Sequence, residues 1–187
     1  MAIGVLASKF PEEFAIVGRL LAGYTDLELT LAHCVVVVGN DFDTVTKVLY
    51  RLRGETTRID AADAFGRQQY DAIKLGTAFS MAIGYVRHCM KIRNQYAHCL
   101  WWDYDGKSLG FADMTEAAKV HTKISDLAML TRRVIDLPLL KSQEEFFEKT
   151  EEWLLWLNYE SRLLAGKIQT SPYMKPKTLT QPKPYFP

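Results

Sequence analysis

Three side chains near the middle of the chain, Arg93, Asn94 and His98, have the types and spacing of a site that handles phosphate. They lie in the stretch KIRNQYAHCLWW, residues 91–102. Arginine carries a permanent charge and a planar fork that matches phosphate oxygens. Histidine, with an unperturbed pKa of about 6.5, transfers protons near neutral pH. A fixed cation and a proton carrier this close in the chain indicate chemistry on an anionic substrate.

The surroundings of Arg93 on a helix make it unusual. At 3.6 residues per turn Arg93 falls inside an apolar stripe. The stripe consists of Phe79, Ile83, Val86, Met90 and Ala97. Because burying an unpaired guanidinium costs several kcal/mol, Arg93 needs a carboxylate, an interface or an anion. Glu28 or Asp26 is one candidate partner, and a phosphate is the other. For His98 the alternative to a chemical role is an ordinary core or helix-end histidine.

Helical patterns dominate the first half of the chain. Apolar residues recur at helical spacing after Pro11-Glu12-Glu13, where a proline and two acids favour a first turn. The pattern predicts a helix of about 25 residues that ends at Gly39-Asn40-Asp41. A second helix is predicted from near Asp43.

A long third helix and a hairpin follow. The helical pattern runs from about Ala62 or Tyr70 into the stretch 91–102, with a break near Gly66 or Gly76. The pattern then alternates around Asp105-Gly106, a dipeptide that favours a tight turn. We therefore expect a short two-stranded hairpin directly after the helix that carries Arg93.

Two capping signals predict further helices. Asp113 precedes Glu116 by three residues, and Ser142 precedes Glu145 by the same distance. The second signal predicts the start of the last helix. Residues 170–187 are rich in proline and lysine and contain no acid, so we expect them to run extended. The predicted fold class is all-α: an up-and-down helical bundle with a short β-hairpin inserted after the central long helix.

Composition limits the classes of function. With 187 residues and 48% hydrophobic content, the chain is predicted to form one helical domain over residues 1–166 and an extended tail over 167–187. A net charge of +1 gives no global field for nucleic acid or membranes. No leader or long uninterrupted apolar run is evident, so we expect a cytoplasmic protein with no membrane partner. No metal site and no cofactor are expected.

The segment from Arg93 to His98 resembles the signature of the HEPN superfamily (higher eukaryotes and prokaryotes nucleotide-binding). That signature is an arginine, a polar residue, here Asn94, and a histidine a few residues later. The resemblance implies a helical bundle with the motif near the end of a long helix. It also implies a metal-independent endoribonuclease, often a homodimer, found in toxin–antitoxin, defence or RNA-processing systems. An antitoxin would be a separate protein.

In this interpretation His98 is a general acid or base, Arg93 stabilises the transition state, and Asn94 orients either His98 or the phosphate. Arg87 and Lys91 could follow an RNA backbone, and Tyr96 could stack on a base. A solvated charged face for the two cations and a core position for Tyr96 are the competing interpretations. The alternative function is a non-catalytic HEPN-like helical module that binds RNA, nucleotide or a protein partner.

Overall fold

The structure, a computed structural model, describes residues 3–39, 41–120 and 130–186. The chain is mostly helical with one small antiparallel sheet in these ranges, which confirms the predicted helical class. The helices are α1 (Ile3–Lys9), α2 (Pro11–Val37), α3 (Phe42–Arg51), α4 (Glu55–Ala72), α5 (Gly76–Ala97), α6 (Met114–Val120) and α7 (Leu137–Leu164). The strands are β1 (Cys99–Asp103), β2 (Leu109–Asp113) and β3 (Arg133–Ile135).

Contacts divide the chain into two compact units. Unit 1 comprises Met1–Ala22, Lys91–Glu145 and Pro182–Pro187. Unit 2 comprises Gly23–Met90 and Phe146–Gln181. The sheet and the segment from Arg93 to His98 belong to unit 1, whereas α3 and α4 belong to unit 2.

Helix α2 begins at Pro11, as predicted, with Glu12 and Glu13 in its first turn. It is 27 residues long, close to the predicted length. Among the described helices, α2 alone is long and apolar enough to cross a membrane, and 44% of that apolar window is buried. A core helix of a globular protein meets the same criteria of length and composition.

In unit 2, the predicted third helix is two helices, and the first of them starts earlier than predicted. Helix α4 begins at Glu55, earlier than predicted, and α5 begins at Gly76, one of the two predicted break points. The other, Gly66, is buried inside α4. A Cβ at Gly66 would lie 2.6 Å from the ring of Phe79, which stacks on Tyr70 with 4.3 Å between ring centroids. Gly66 therefore makes room for an aromatic ring and does not mark a helix end.

Unit 1 contains the predicted hairpin. Strands β1 and β2 pair antiparallel, and the turn between them has Gly106 at φ 82°, a left-handed conformation that glycine adopts without strain. The Asp105 carboxylate accepts backbone hydrogen bonds from Lys107 at 2.9 Å and Ser108 at 2.7 Å. The hairpin prediction is confirmed, but β3 extends it to three strands in the order β1-β2-β3.

One of the two predicted caps is confirmed and the other is wrong. The Asp113 carboxylate accepts a hydrogen bond from the Glu116 N–H at the start of α6, 3.2 Å away. Helix α7, however, begins before Ser142, because Asp136 caps it by accepting from the Leu139 N–H at 2.9 Å. The Ser142 hydroxyl lies inside the helix and donates back to the Leu139 carbonyl.

The end of the chain is irregular but docked. Residues 168–185, all of them described, form no helix or strand. In unit 2, the Leu179 N–H donates to the Tyr85 hydroxyl at 3.0 Å. In unit 1, Phe186 forms an antiparallel bridge with Val134 of β3, with backbone N–O distances of 2.9 and 3.0 Å. The proline-rich segment thus runs extended and reaches the free edge of the sheet.

Candidate functional site

Arg93 and Asn94 lie in the last turns of α5 and contact each other. Both side chains are half-buried, beside Ile92, which is fully buried. The Arg93 guanidinium donates through Nη1 to the Asn94 Oδ1 at 3.0 Å. Asn94 therefore helps to orient the guanidinium of its neighbour.

His98 follows the last residue of α5 and has an exposed side chain. Its backbone carbonyl accepts from the Met114 N–H at 3.0 Å, which ties the end of the helix to the start of α6. The backbone position of His98 is thus held within unit 1 while its imidazole is open to solvent. A histidine in this position belongs to a helix end and not to the core.

A buried amide network lies directly under this segment. We call the side chains of Gln95, Tyr96 and Gln143, with the carbonyls of Lys183 and Pro184 that they bind, the amide network. The Tyr96 hydroxyl donates to the Gln143 Oε1 at 2.6 Å. Gln143 Nε2 donates to the Lys183 and Pro184 carbonyls at 2.9 and 2.7 Å, and Gln95 Nε2 donates to the Pro184 carbonyl at 2.7 Å.

The network satisfies the buried amide of Gln143 fully. Gln143 has no exposed surface, and both its oxygen and its two N–H groups have partners. Burial raises the pKa of the Tyr96 phenol above its usual value, so the hydroxyl remains a donor over the accessible pH range. Because a buried unpaired amide would cost about 1–3 kcal/mol, these bonds also anchor the segment of chain that carries the two carbonyls.

Aromatic rings of the same unit pack beside the amide network. The Trp101 ring lies 5.7 Å from Tyr96, 5.3 Å from Phe111 and 5.7 Å from Phe14, measured between centroids. Phe111 is fully buried and also meets the ring of Tyr185 edge-on at 6.3 Å. The end of α5 is therefore fixed by an aromatic cluster that joins it to the hairpin and to the chain end.

The three residues expected to bind RNA occupy different environments. Lys91 is exposed. Arg87, in unit 2, donates to Asp60 at 2.8 Å and lies 3.8 Å from Asp63, with 41% of its side chain exposed. Tyr96 is only 3% exposed, so stacking on a base would require its ring to leave the core. The sequence pattern identified its helix face but could not show this burial.

Unit 2 contains a second polar cluster that the sequence did not reveal. We call Glu28, Glu55, Arg58 and Tyr24 the ionic cluster. Arg58 donates to Glu28 at 2.8 Å and lies 4.0 Å from Glu55. Burial, with these two carboxylates, raises the pKa of Tyr24. A small pocket, partly open to solvent, borders the Glu28–Arg58 pair. The spacing of Glu55 and Arg58 on one helix was the available signal.

The cysteines lack the properties of nucleophiles. Burial raises the pKa of the Cys34, Cys89 and Cys99 thiols to about 12, and for Cys99 the Asp113 carboxylate adds to this effect. Since the thiolate is the reactive form, Cys99 next to His98 is unsuited to thiol catalysis near neutral pH. All three are free.

Of the remaining histidines, His33 and His88 belong to unit 2. His33 is exposed and its ring lies 5.5 Å from that of Phe42, whereas His88 is buried against Phe146 at 5.2 Å. His121 lies outside the described residues. Within the described ranges, no three His, Cys, Asp or Glu side chains are grouped as the ligands of a metal ion would be.

The fold defines a mostly helical protein with a small antiparallel sheet, and the site just described lies where the helix α5 meets that sheet. Comparisons of the chain with protein-family models, with curated proteins and with solved structures find no match.

Proposed function

We propose that the chain is a metal-independent endoribonuclease of the HEPN type, in which Arg93, Asn94 and His98 form the site. One observation supports this most: His98 is exposed at the fixed end of α5, four residues after Asn94, whose side-chain oxygen accepts a hydrogen bond from the Arg93 guanidinium. An exposed proton carrier and an oriented cation on one helix end suit an anionic substrate that approaches from solvent. The up-and-down bundle implied by the HEPN resemblance is part of the proposal.

The proposed reaction uses the nucleophile that RNA itself supplies. His98 accepts the proton of a ribose 2′-hydroxyl as the 2′-oxygen attacks the adjacent phosphorus. Arg93 donates to the non-bridging oxygens, where negative charge grows in the phosphorane-like transition state. The bond from phosphorus to the 5′-oxygen then breaks, and this oxygen takes a proton. The products are a 2′,3′-cyclic phosphate and a 5′-hydroxyl.

The proton balance motivates a homodimer. One imidazole that has just accepted a proton is not the natural donor to the leaving oxygen in the same step. Two chains related by a twofold axis beside the motif would supply two His98 imidazoles, one as base and one as acid. We therefore propose a homodimer that acts on cytoplasmic RNA, with a separate antitoxin where the system has one.

The test is cleavage of single-stranded RNA in the presence of a metal chelator. We expect the wild-type chain to cut, and the His98→Ala chain to cut about 10²–10⁴-fold more slowly because the proton carrier is gone. His33→Ala is the matched control, since it removes another exposed imidazole. Equal rates for wild type and His98→Ala would remove His98 from the mechanism. RNA binding without cleavage would favour the non-catalytic module.

The assembly is tested independently by sedimentation at micromolar concentrations. The proposal expects a particle with twice the mass of one chain. A monomer that cleaves RNA at concentrations where no dimer forms would contradict the shared site.

A further inference from the structure

The strongest observation outside the proposed chemistry is the docking of the chain end in unit 1. Four hydrogen bonds from side chains or β3 reach the backbone of residues 183–186, and Phe186 returns one to Val134. The Arg133 guanidinium, which also binds Glu116, lies over the Tyr185 ring with its central carbon 4.4 Å from the centroid. The docked segment is thus recognised mainly through its backbone and one aromatic ring.

The sequence of the segment explains why it fits such a site. Pro182 and Pro184 have fixed φ angles and no N–H, and each disfavours a helical conformation in the residue before it. The segment Pro-Lys-Pro is therefore extended before it docks and offers carbonyls as its polar groups. Gln95 and Gln143 supply the matching donors. A pre-extended ligand loses little conformational entropy on binding.

The position of the docking site connects it with the candidate site. Gln95 and Tyr96, two members of the amide network, lie in sequence between Asn94 and His98. They are buried, whereas His98 is exposed. The chain end therefore holds the last turn of α5 from its buried side and leaves the imidazole uncovered. The chain end thus supports the helix from below. It does not act as a lid, because a lid would cover the His98 side chain.

We propose that residues 182–186 act as a separable peptide ligand of unit 1, and that their docking on Gln95 and Gln143 positions the helix end that carries Arg93, Asn94 and His98. The first half of the inference concerns peptide binding and stands by itself. The second half rests on the proposed function. Residues 182–186 and Gln143 are positioning elements, because they act on the site through Gln95 and Tyr96.

The experiment removes the segment and returns it in trans. A chain truncated after residue 181 is compared with the full chain, with and without the peptide TQPKPYFP (residues 180–187). We expect saturable binding of the peptide to the truncated chain. Binding to the full chain should be at least about tenfold weaker, since the tethered segment competes at about millimolar effective concentration. The control peptide carries Pro182→Gly and Pro184→Gly, which keep the carbonyls but remove the extended preference, and it should bind more weakly.

Two readouts report the position of the site. The first is the imidazole NMR signal of His98, assigned by its loss in His98→Ala, which should shift on truncation and return when the peptide is added. The second is RNA cleavage, which should fall at least about tenfold on truncation and be restored by the peptide, as expected for lost preorganisation. A merely stabilising segment would change neither readout in a chain that remains folded by circular dichroism.

A full-length variant covers the case in which the truncated chain does not fold. Gln143→Glu still accepts from Tyr96 but replaces the two N–H donors by a carboxylate that repels the tail carbonyls. It should shift the His98 signal and slow cleavage, whereas Gln169→Glu, the same change at an exposed position, should do neither.

The outcomes separate the two proposals. If no chain cleaves RNA but the peptide binds and moves the His98 signal, the ribonuclease proposal fails and the docking inference stands. If the full chain cleaves, and a folded truncated chain or Gln143→Glu leaves both the His98 signal and the rate unchanged, the docking inference is overturned alone. Absence of peptide binding to a folded truncated chain also overturns it.

Discussion

The ionic cluster and the amide network differ in charge and in the part of the chain that they bind. The ionic cluster of unit 2 pairs an arginine with two carboxylates among helices. The amide network of unit 1 contains no charged side chain, and its last partners are carbonyls of the chain end. Hydrogen bonds to charged groups contribute about 1.5–3 kcal/mol, and those between neutral groups about 0.5–1.5 kcal/mol.

This difference separates a structural role from a role in positioning a site. Removing one member of a largely buried ion pair leaves the other charge without its partner, so the fold loses stability. Neutral donors that lose their carbonyl partners can bind water instead at lower cost, so such contacts suit a segment that can be removed and returned without unfolding the chain. We therefore expect changes in the ionic cluster to lower stability, and changes in or near the motif to lower activity.

The largest of the three effects that follow from this comparison is on activity. Arg93→Lys keeps a positive charge but loses the planar fork and the orientation given by Asn94. We expect RNA cleavage to fall about 100-fold, the loss associated with one transition-state donor. Arg67→Lys, which alters an exposed arginine paired with Asp63, is the control and should cleave normally. A wild-type rate for Arg93→Lys would show that the guanidinium fork is not used.

The second effect is on stability in unit 2. Arg58→Gln removes the cation between Glu28 and Glu55 and leaves the Glu28 carboxylate, only 10% exposed, without this partner. We expect the free energy of unfolding in urea to fall by about 2 kcal/mol. Arg53→Gln, at an exposed position, should change it by less than about 0.5 kcal/mol. Equal stability of the two variants would contradict the structural role of the ionic cluster.

The smallest effect concerns the hairpin turn and its pH dependence. Backbone N–H groups of Lys107 and Ser108 lower the pKa of Asp105, so the folded chain favours the ionised form. The resulting contribution to folding stability is present above the pKa that Asp105 has in the unfolded chain, and it is lost as the pH falls through the lower pKa of the folded chain. Asp105→Ala should slightly lower the melting temperature at neutral pH and have no effect at about pH 2. A difference that persists in acid would show that the charge is not the cause.

Local signals predicted much of the secondary structure. The start of α2 at Pro11, the turn at Gly106 and the cap at Asp113 each depend on a few neighbouring residues, and all three are confirmed. The cap signal at Ser142 was wrong because Asp136 caps the helix earlier. The role of Gly66 was ambiguous in the sequence because a glycine is needed there to make room for the Phe79 ring, which belongs to another helix.

The features that support the candidate site were beyond reach from the sequence. Gln95 and Gln143 are separated by tens of residues, and their common partner Pro184 lies further still along the chain. Neutral amides leave no charge pattern that would connect them. Strand β3 has only three residues, too few for a periodic signal. The motif itself was visible because its three residue types lie within one helical turn and a half.

The most direct test of the ribonuclease account uses one RNA oligonucleotide and its analogue with 2′-deoxyribose at every position, both in chelator. The account predicts that the wild-type chain cleaves the RNA, leaves 2′,3′-cyclic phosphate ends detectable by mass spectrometry, and does not cleave the deoxy analogue. Cleavage of both oligonucleotides, or RNA products that carry 5′-phosphate ends, would contradict attack by the 2′-hydroxyl at the site formed by Arg93, Asn94 and His98.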